Sequence, residues 1–323
     1  MMKLLGAFLR LVRWPNLFFI CLTQCLFYYC LVLPSFFRRQ VNGFGNVLKP
    51  SAFAVLCLSS LLIAAAGYII NDYFDLSIDR VNKPGRIVVE KLIKRRWTIL
   101  WHWFFSVVGV ILGFYLSWKL RNPLIGPANL VCVGLLWFYS TTFKKKLLVG
   151  NIIISLLTAW VILVLYFCEF RLHRLIDPLY QHILSRIFKF AVLYAAFAFI
   201  TTLIREVIKD MEDREGDARY GCRTMPIVWG IQAAKLFCAV WLMVLIASLL
   251  VLQFYVLQYR WWWSIGYALL LIIIPLLGIL RGLYAAITTA DYHRLSERMK
   301  WVMLAGILSM IFFKWYSSWI VSF

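Results

Sequence analysis

Two short stretches hold residues whose types and spacing could do chemistry. "NDYFDLSID" places Asp72, Asp75 and Asp79 at i, i+3 and i+7, and "KDMEDREGD" places Asp210, Asp213 and Asp217 at the same offsets. At about 100° per residue, those offsets bring each trio onto one face of a helix. Asn71 begins a second row with Asp75 and Asp79. The chain has 14 acidic residues against 34 Lys and Arg, and nine of the 14 fall between Asp72 and Asp79 or between Glu206 and Asp217. Like charges this close repel, and a divalent cation removes the conflict. Hard oxygen ligands suit magnesium, which keeps waters and combines a few carboxylates with the phosphate oxygens of a substrate. A single D-x-x-D at a helix end is ordinarily a solvated face or a cap; two matching trios in a chain poor in acids argue for a cation site. Glu212 and Glu215 fall off the trio's face and are expected to be solvated.

The elements that must position these residues are membrane helices. Of 323 residues, 63% are apolar, 17% aromatic and 15% charged, against about 45–50% apolar in soluble domains. The expected fold class is all-α: a polytopic membrane protein with its helices in one bundle around a central cavity. Residues 1–323 form a single domain with no linker. About 20 apolar residues cross a hydrocarbon core of roughly 30 Å. Seven charge-free windows meet that need: Arg13 to Arg38, Lys49 to Asp72, Arg96 to Lys119, Arg121 to Lys144, Lys146 to Glu169, Lys235 to Arg260 and Arg260 to Arg281. Two more bring the expected count to nine. Phe190 to Ile204 is short unless Arg186 and Lys189 snorkel, and Trp301 to Phe323 carries Lys314. The N-terminal apolar stretch lacks the short core and small-residue cleavage site of a signal peptide, so it is expected to be the first span.

With the N-terminus inside, 23 of the 34 basic residues fall on inner segments, which orients both acidic segments toward the cytoplasm. They then belong to cap loops around 72–96 and 205–230. The net charge of +20 reflects this bias and suits anionic membrane lipids. Nucleic acid is not an expected partner, because the basic residues are spread among membrane loops. The eight cysteines lie mainly in apolar spans without a C-x-x-C pair and read as small core residues. The four histidines are scattered and form no zinc pattern.

A metal-bound diphosphate needs further positive charge. "RVNKPGR" supplies Arg80, Lys83 and Arg86, "ARYGCRT" supplies Arg219 and Arg223, and "FKKK" supplies Lys144 to Lys146. Arg86, Lys144 and Arg223 are the preferred phosphate contacts, although each reads equally well as a positive-inside loop charge. "RWPN" offers Arg13 and Asn16 at the start of the first span. Tyr73, Tyr139 and Tyr194 lie where rings could stabilise a carbocation through their π faces.

"NDYFDLSIDRVNKPGR" resembles the first aspartate-rich signature of the UbiA superfamily of intramembrane prenyltransferases, and "KDMEDREGDARYGCRTMPIVWG" resembles the second. The Tyr139–Lys145 region and the Arg13–Asn16 turn are similar to further family features. The resemblance implies a nine-helix bundle whose cavity opens to the membrane, and magnesium-dependent transfer of an isoprenoid chain from an allylic polyprenyl diphosphate donor to a lipophilic acceptor. Carried over by position, Asn71, Asp75, Asp213 and Asp217 become metal ligands with Asp72 beside them. Asp79 and Asp210 become the orienting or proton-accepting carboxylates, and Arg86, Lys144, Arg223 and Asn16 the diphosphate contacts. Family acceptors include aromatic quinone precursors and glycerol-phosphate lipids, and the wording of the second motif is similar to members acting on the latter. The polar stretch from Glu169 to Ser185 has no assigned role. Paired acidic motifs could also hold the coupling cation of a secondary transporter, but these sit at span ends beside Pro-Gly and basic loops.

Overall fold

Apolar runs in a bilayer become helices because each backbone N–H and C=O must find its partner within the segment. The structure, a computed structural model, describes residues 2–37, 46–82, 85 and 87–315. Among these there is no strand, only an isolated bridge between Val89 and Ile93. In chain order the helices are α1 (Met2–Leu11), α2 (Trp14–Phe36, with a π-helical turn at Tyr28–Val32), α3 (Pro50–Phe74), α4 (Leu76–Asn82) and α5 (Arg95–Lys119). They continue as α6 (Ile125–Thr141), α7 (Val149–Glu169), α8 (Pro178–Glu212), α9 (Arg214–Arg219), α10 (Gly230–Leu257), α11 (Trp262–Ala285), α12 (Thr289–Leu308) and α13 (Met310–Trp315). Seven of them, α2, α3, α5, α7, α8, α10 and α11, are long and apolar enough to cross a membrane; α6 is a shorter apolar helix.

Three elements depart from expectation. The window Phe190 to Ile204 is the middle of α8, which runs for 35 residues, about 52 Å at 1.5 Å per residue. That exceeds a hydrocarbon core of roughly 30 Å, so α8 carries polar residues beyond both apolar boundaries. Its start is fixed by Asp177, whose carboxylate accepts from the N–H groups of Leu179 at 2.8 Å and Tyr180 at 3.0 Å. The polar stretch 169–185 is therefore largely helical, with only residues 170–177 connecting α7 to α8. The last apolar helix begins earlier than Trp301: α12 starts at Thr289 behind a reciprocal capping box between Thr288 and Asp291, and residues 316–323 lie outside the described residues. Ahead of the first span lies α1, an amphipathic helix. Its Ala7 and Leu11 are buried, and Phe8 packs on Trp101 and Phe105.

Small residues bring the helices close. Gly109 and Gly113 form a G-x-x-x-G step on α5, facing α3 and α6. A Cβ at Gly109 would meet Ile63 at 2.7 Å, and one at Gly113 would meet Asn129 at 2.5 Å. Across this approach Ser59 donates to the Gly109 carbonyl at 2.7 Å, and Asn129 donates to Ser59 at 2.8 Å. Such contacts replace the hydrophobic drive that lipid cannot supply. Two apolar clusters share α8. Tyr180, Leu184 and Ile187 pack with α2, α3 and α7, whereas Ile204, Val207 and Ile208 pack with α10, α11 and α12.

The end of α7 is tied to the start of α3. Glu169 is fully buried, and its carboxylate accepts from the N–H groups of Val47 at 2.8 Å and Leu48 at 3.1 Å. Replacing Glu169 by Leu leaves the buried Leu48 N–H and the part-buried Val47 N–H without this acceptor, and a buried N–H left unpaired costs about 1–3 kcal/mol. Thermal unfolding in detergent should show a clearly lowered midpoint for Glu169→Leu and a smaller drop for Glu169→Gln, which keeps one carbonyl acceptor. Equal midpoints for both variants and the parent would contradict this account.

Candidate active site

Five helix ends converge at one end of the bundle: the starts of α2 and α7 and the ends of α3, α6 and α8. The two acidic trios lie there, but neither occupies one unbroken helix. α3 ends at Phe74, Asp75 stands at a bend with φ −83° and ψ −2°, and Asp79 falls on α4. The second motif repeats the arrangement: α8 ends at Glu212, Asp213 stands at φ −92° and ψ 5°, and Asp217 falls on α9. The i+4 hydrogen bond survives each bend, from Asp79 N to Asp75 O at 2.8 Å and from Asp217 N to Asp213 O at 3.1 Å. Each middle aspartate therefore caps the C-terminus of a long helix, where the macrodipole adds about half a negative charge.

The structure places the predicted residues as follows. Asn71 is half-buried on α3, and its Oδ1 is buried without a hydrogen-bond partner among the described residues. The Arg13 guanidinium donates to Asp72 at 2.6 Å and lies 5.3 Å from the centre of the Tyr68 ring. That carboxylate raises the Arg13 pKa above its ordinary value. Arg13 holds a left-handed backbone at φ 50°, which costs a non-glycine residue about 1–2 kcal/mol. Asn16 begins the first turn of α2 and faces Tyr68. Lys144, in a short 3-10 turn, pairs with Asp75, and both side chains are largely buried. Asn151 of α7 donates to Asp210 at 2.8 Å. Arg223 has an exposed side chain, and its N–H donates to the Lys145 carbonyl at 2.8 Å. Arg86 lies outside the described residues.

The two motifs face one region. Tyr139 is within electrostatic reach of Asp75, Glu206 and Asp210. The Cys222 thiol, pushed up to about 11 chiefly by burial, also senses Asp217, Lys145, Lys144 and Asp75. Tyr194 lies elsewhere, against Phe27 and Phe313, with its hydroxyl on Ser309. Tyr73 sits under Arg95 at 4.6 Å.

Three expectations change. Lys144 is engaged by Asp75 rather than standing apart for an anion. The first trio's negative charge is thus partly balanced by Arg13 and Lys144. Glu212 is not solvated; it is largely buried and accepts from His293 of α12 at 3.0 Å. Glu215 is exposed as expected and pairs with Arg219 at 2.6 Å. The segment 205–230 is the end of α8 followed by α9 and a helical turn at Met225–Val228, so it is not a loop. Sequence reasoning also left Asn82, Asn151 and Glu206 without roles. Glu206 accepts from Arg205 at 3.1 Å and from Lys209 at 2.9 Å.

Among the described residues, no group of three His, Cys, Asp or Glu side chains gathers as a ready-made metal cage. The donor set nevertheless fits a hard divalent cation. It is all oxygen, it includes the buried and unpartnered Asn71 Oδ1, and magnesium characteristically takes one or two carboxylates with substrate phosphates rather than a full cage.

Comparison with known proteins agrees with the geometry. The UbiA prenyltransferase family profile matches residues 41–304. Digeranylgeranylglyceryl phosphate synthase of Methanosphaera stadtmanae is 28% identical over 257 residues, 79% of this chain and 84% of that relative. A solved structure of digeranylgeranylglyceryl phosphate synthase in membranes superposes with a TM-score of 0.59 at 22% identity, covering 96% of this chain and 99% of that one. A UbiA homolog from Archaeoglobus fulgidus bound to DMAPP and Mg2+ aligns with a TM-score of 0.53 at 16% identity, over 92% of this chain and 98% of that one. The apolar helices and this likeness make the protein an integral membrane protein, and the chain belongs to the UbiA prenyltransferase family.

Proposed function

We propose that this protein transfers an isoprenoid chain from an allylic polyprenyl diphosphate to a lipophilic acceptor, with magnesium as cofactor, and that the acceptor is a glycerol-phosphate lipid such as geranylgeranylglyceryl phosphate. The observation that carries the reading is the pair of acidic motifs, each bent at its middle aspartate and both facing one end of an apolar bundle. The relatives named for digeranylgeranylglyceryl phosphate synthesis favour the glycerol-phosphate acceptor, and the UbiA homolog bound to DMAPP and Mg2+ favours the donor and the metal. Nine crossings follow if α6 and the pair α12–α13 are added to the seven long spans, with the acidic end toward the cytoplasm. The whole chain then acts as one domain.

In this reading Asn71, Asp72, Asp75, Asp213 and Asp217 hold the cation. When bound, magnesium supplies a Lewis acid to the leaving diphosphate. With a cation held at the Asp75 carboxylate, Lys144 would be released to hold the diphosphate oxygens, and Arg13, Arg86, Arg223 and Asn16 would complete the clamp. The C–O bond of the donor breaks with its electron pair going to diphosphate, and the allylic cation stays in an apolar cavity near Tyr139. The acceptor hydroxyl attacks C1 of the chain and its proton passes to Asp210, which Asn151 holds in place. Asp79 is the second carboxylate near this path.

The test is product identification. Purified protein supplied with labelled geranylgeranyl diphosphate and Mg2+ should prenylate geranylgeranylglyceryl phosphate and leave aromatic quinone precursors unchanged. The reverse preference would replace the acceptor while keeping the reaction class. Label movement across proteoliposomes without any new lipid would point instead to a transporter. Asp75→Ala and Asp213→Ala should each lower kcat on the order of a hundredfold or more, the scale of losing one contact to developing charge, while the protein remains folded in the membrane. Chelation should stop turnover and added Mg2+ should restore it. A cysteine introduced at exposed Ser77, with the native thiols replaced, should react with an impermeant maleimide from the cytoplasmic side alone.

A further inference from the structure

Asn82, the last residue of α4, reaches across to the second motif. Its Nδ2 donates to the Asp213 carbonyl at 3.0 Å, and its Oδ1 accepts from the Gly216 N–H at 2.9 Å. Gly216 is the third residue of α9, and the N–H groups of a first helical turn have no partner within the helix. An aspartate at the N-cap ordinarily meets that need with its own carboxylate. Asp213 stands at the N-cap of α9 and its side chain makes no such bond. Asn82 does the capping from another helix.

The approach depends on glycine at 216. A Cβ there would come within 2.3 Å of Asn82 Oδ1, so any larger residue must displace the Asn82 amide or the turn that carries Asp213 and Asp217. One side chain of the first acidic motif is therefore fixed to the backbone between two aspartates of the second.

We propose that Asn82 is a positioning residue for the divalent cation: by capping α9 from another helix, it sets the spacing between the two acidic motifs and the course of the turn that carries Asp213 and Asp217. This rests on the metal reading given above. Asn82 does not touch the reacting atoms; it acts through Asp213 and Asp217. Outer partners of metal sites typically carry about 10–100-fold in metal affinity or activity.

The experiment measures Mn2+ binding by electron paramagnetic resonance, with inorganic diphosphate present and no turnover, beside thermal unfolding of each variant. Asn82→Ala and Gly216→Ala should each weaken Mn2+ binding about tenfold, at the lower end of that range, with the unfolding midpoint little changed. In turnover, both should raise the Mg2+ concentration for half-saturation, and excess Mg2+ should restore most of kcat. In the double variant the amide that Gly216→Ala would strike is gone, so its loss should match that of Asn82→Ala alone; residues in contact are expected to be non-additive in this way. Should Asn82→Ala not accumulate, Gly216→Ala carries the same test. Unchanged Mn2+ affinity in either folded variant, or additive losses in the double variant, would overturn the proposal. Asp75→Ala and Asp213→Ala are the controls. If they bind Mn2+ as well as the parent, the metal reading fails; if they lose Mn2+ while Asn82→Ala keeps it, only the positioning role fails.

Discussion

Negative charge collected at the C-terminal ends of two apolar helices is the constraint around which this end of the molecule is arranged. Asp75 and Asp213 close α3 and α8, where the helix dipole already disfavours an anion and bilayer proximity makes a charge expensive. The protein meets the two conflicts differently. At the first motif the balancing charges come from distant segments, Arg13 for Asp72 and Lys144 for Asp75. At the second, Arg205 and Lys209 neutralise Glu206 on the same helix, while Asp210 is met by the neutral amide of Asn151.

Buried polar groups are met in several ways along the bundle. Away from the acidic end, Glu169 takes two backbone N–H groups, Asp177 caps α8, and Ser59 and Asn129 bridge α3, α5 and α6, whereas Gln24 Oε1, Ser106 Oγ and Gln253 Oε1 are buried without a hydrogen-bond partner among the described residues. At the acidic end Asn71 Oδ1 is buried without a partner among the described residues, and Arg13 holds a left-handed backbone. A buried acceptor left unmade costs about 1–3 kcal/mol, and strained residues persist only where their surroundings over-determine them. Both costs also occur elsewhere, at Gln253 Oε1 and at the left-handed Arg121 and Arg260, so what sets the acidic end apart is that they stand there beside the two aspartate motifs.

The spacing of the aspartates and the charge-free windows were legible in the sequence because both follow from periodicity and from the bilayer's intolerance of charge. The family resemblance rested on the same residues. What periodicity misses is backbone geometry: the i, i+3, i+7 pattern suggests one continuous face, yet the chain bends at Asp75 and again at Asp213. Asn82 and Asn151 are single amides with no spacing to flag them, and their partners lie 131 and 59 residues away. Glu212 looked solvated because its own helix turns it from the trio, but α12 brings His293 to it. The length of α8 was hidden by Arg186 and Lys189, whose charges interrupt an apolar count without interrupting a helix.

The unequal treatment of the two motifs bears on how a charged lipid head could enter. An ion pair whose partners come from separate elements can separate without unfolding either one. Lys144 sits in a three-residue 3-10 turn, and its departure from Asp75 leaves α3 intact. The second motif lacks that freedom, since Asn82 fixes the backbone on both sides of the α8–α9 bend and Asn151 holds Asp210. Under the proposed function the first motif is the adjustable wall, where Lys144 would turn from Asp75 to the diphosphate while a cation takes its place beside the carboxylate. The second is the fixed wall against which that exchange takes place. A low-dielectric boundary favours this division, because moving one charge while another replaces it avoids an interval with an uncompensated buried carboxylate.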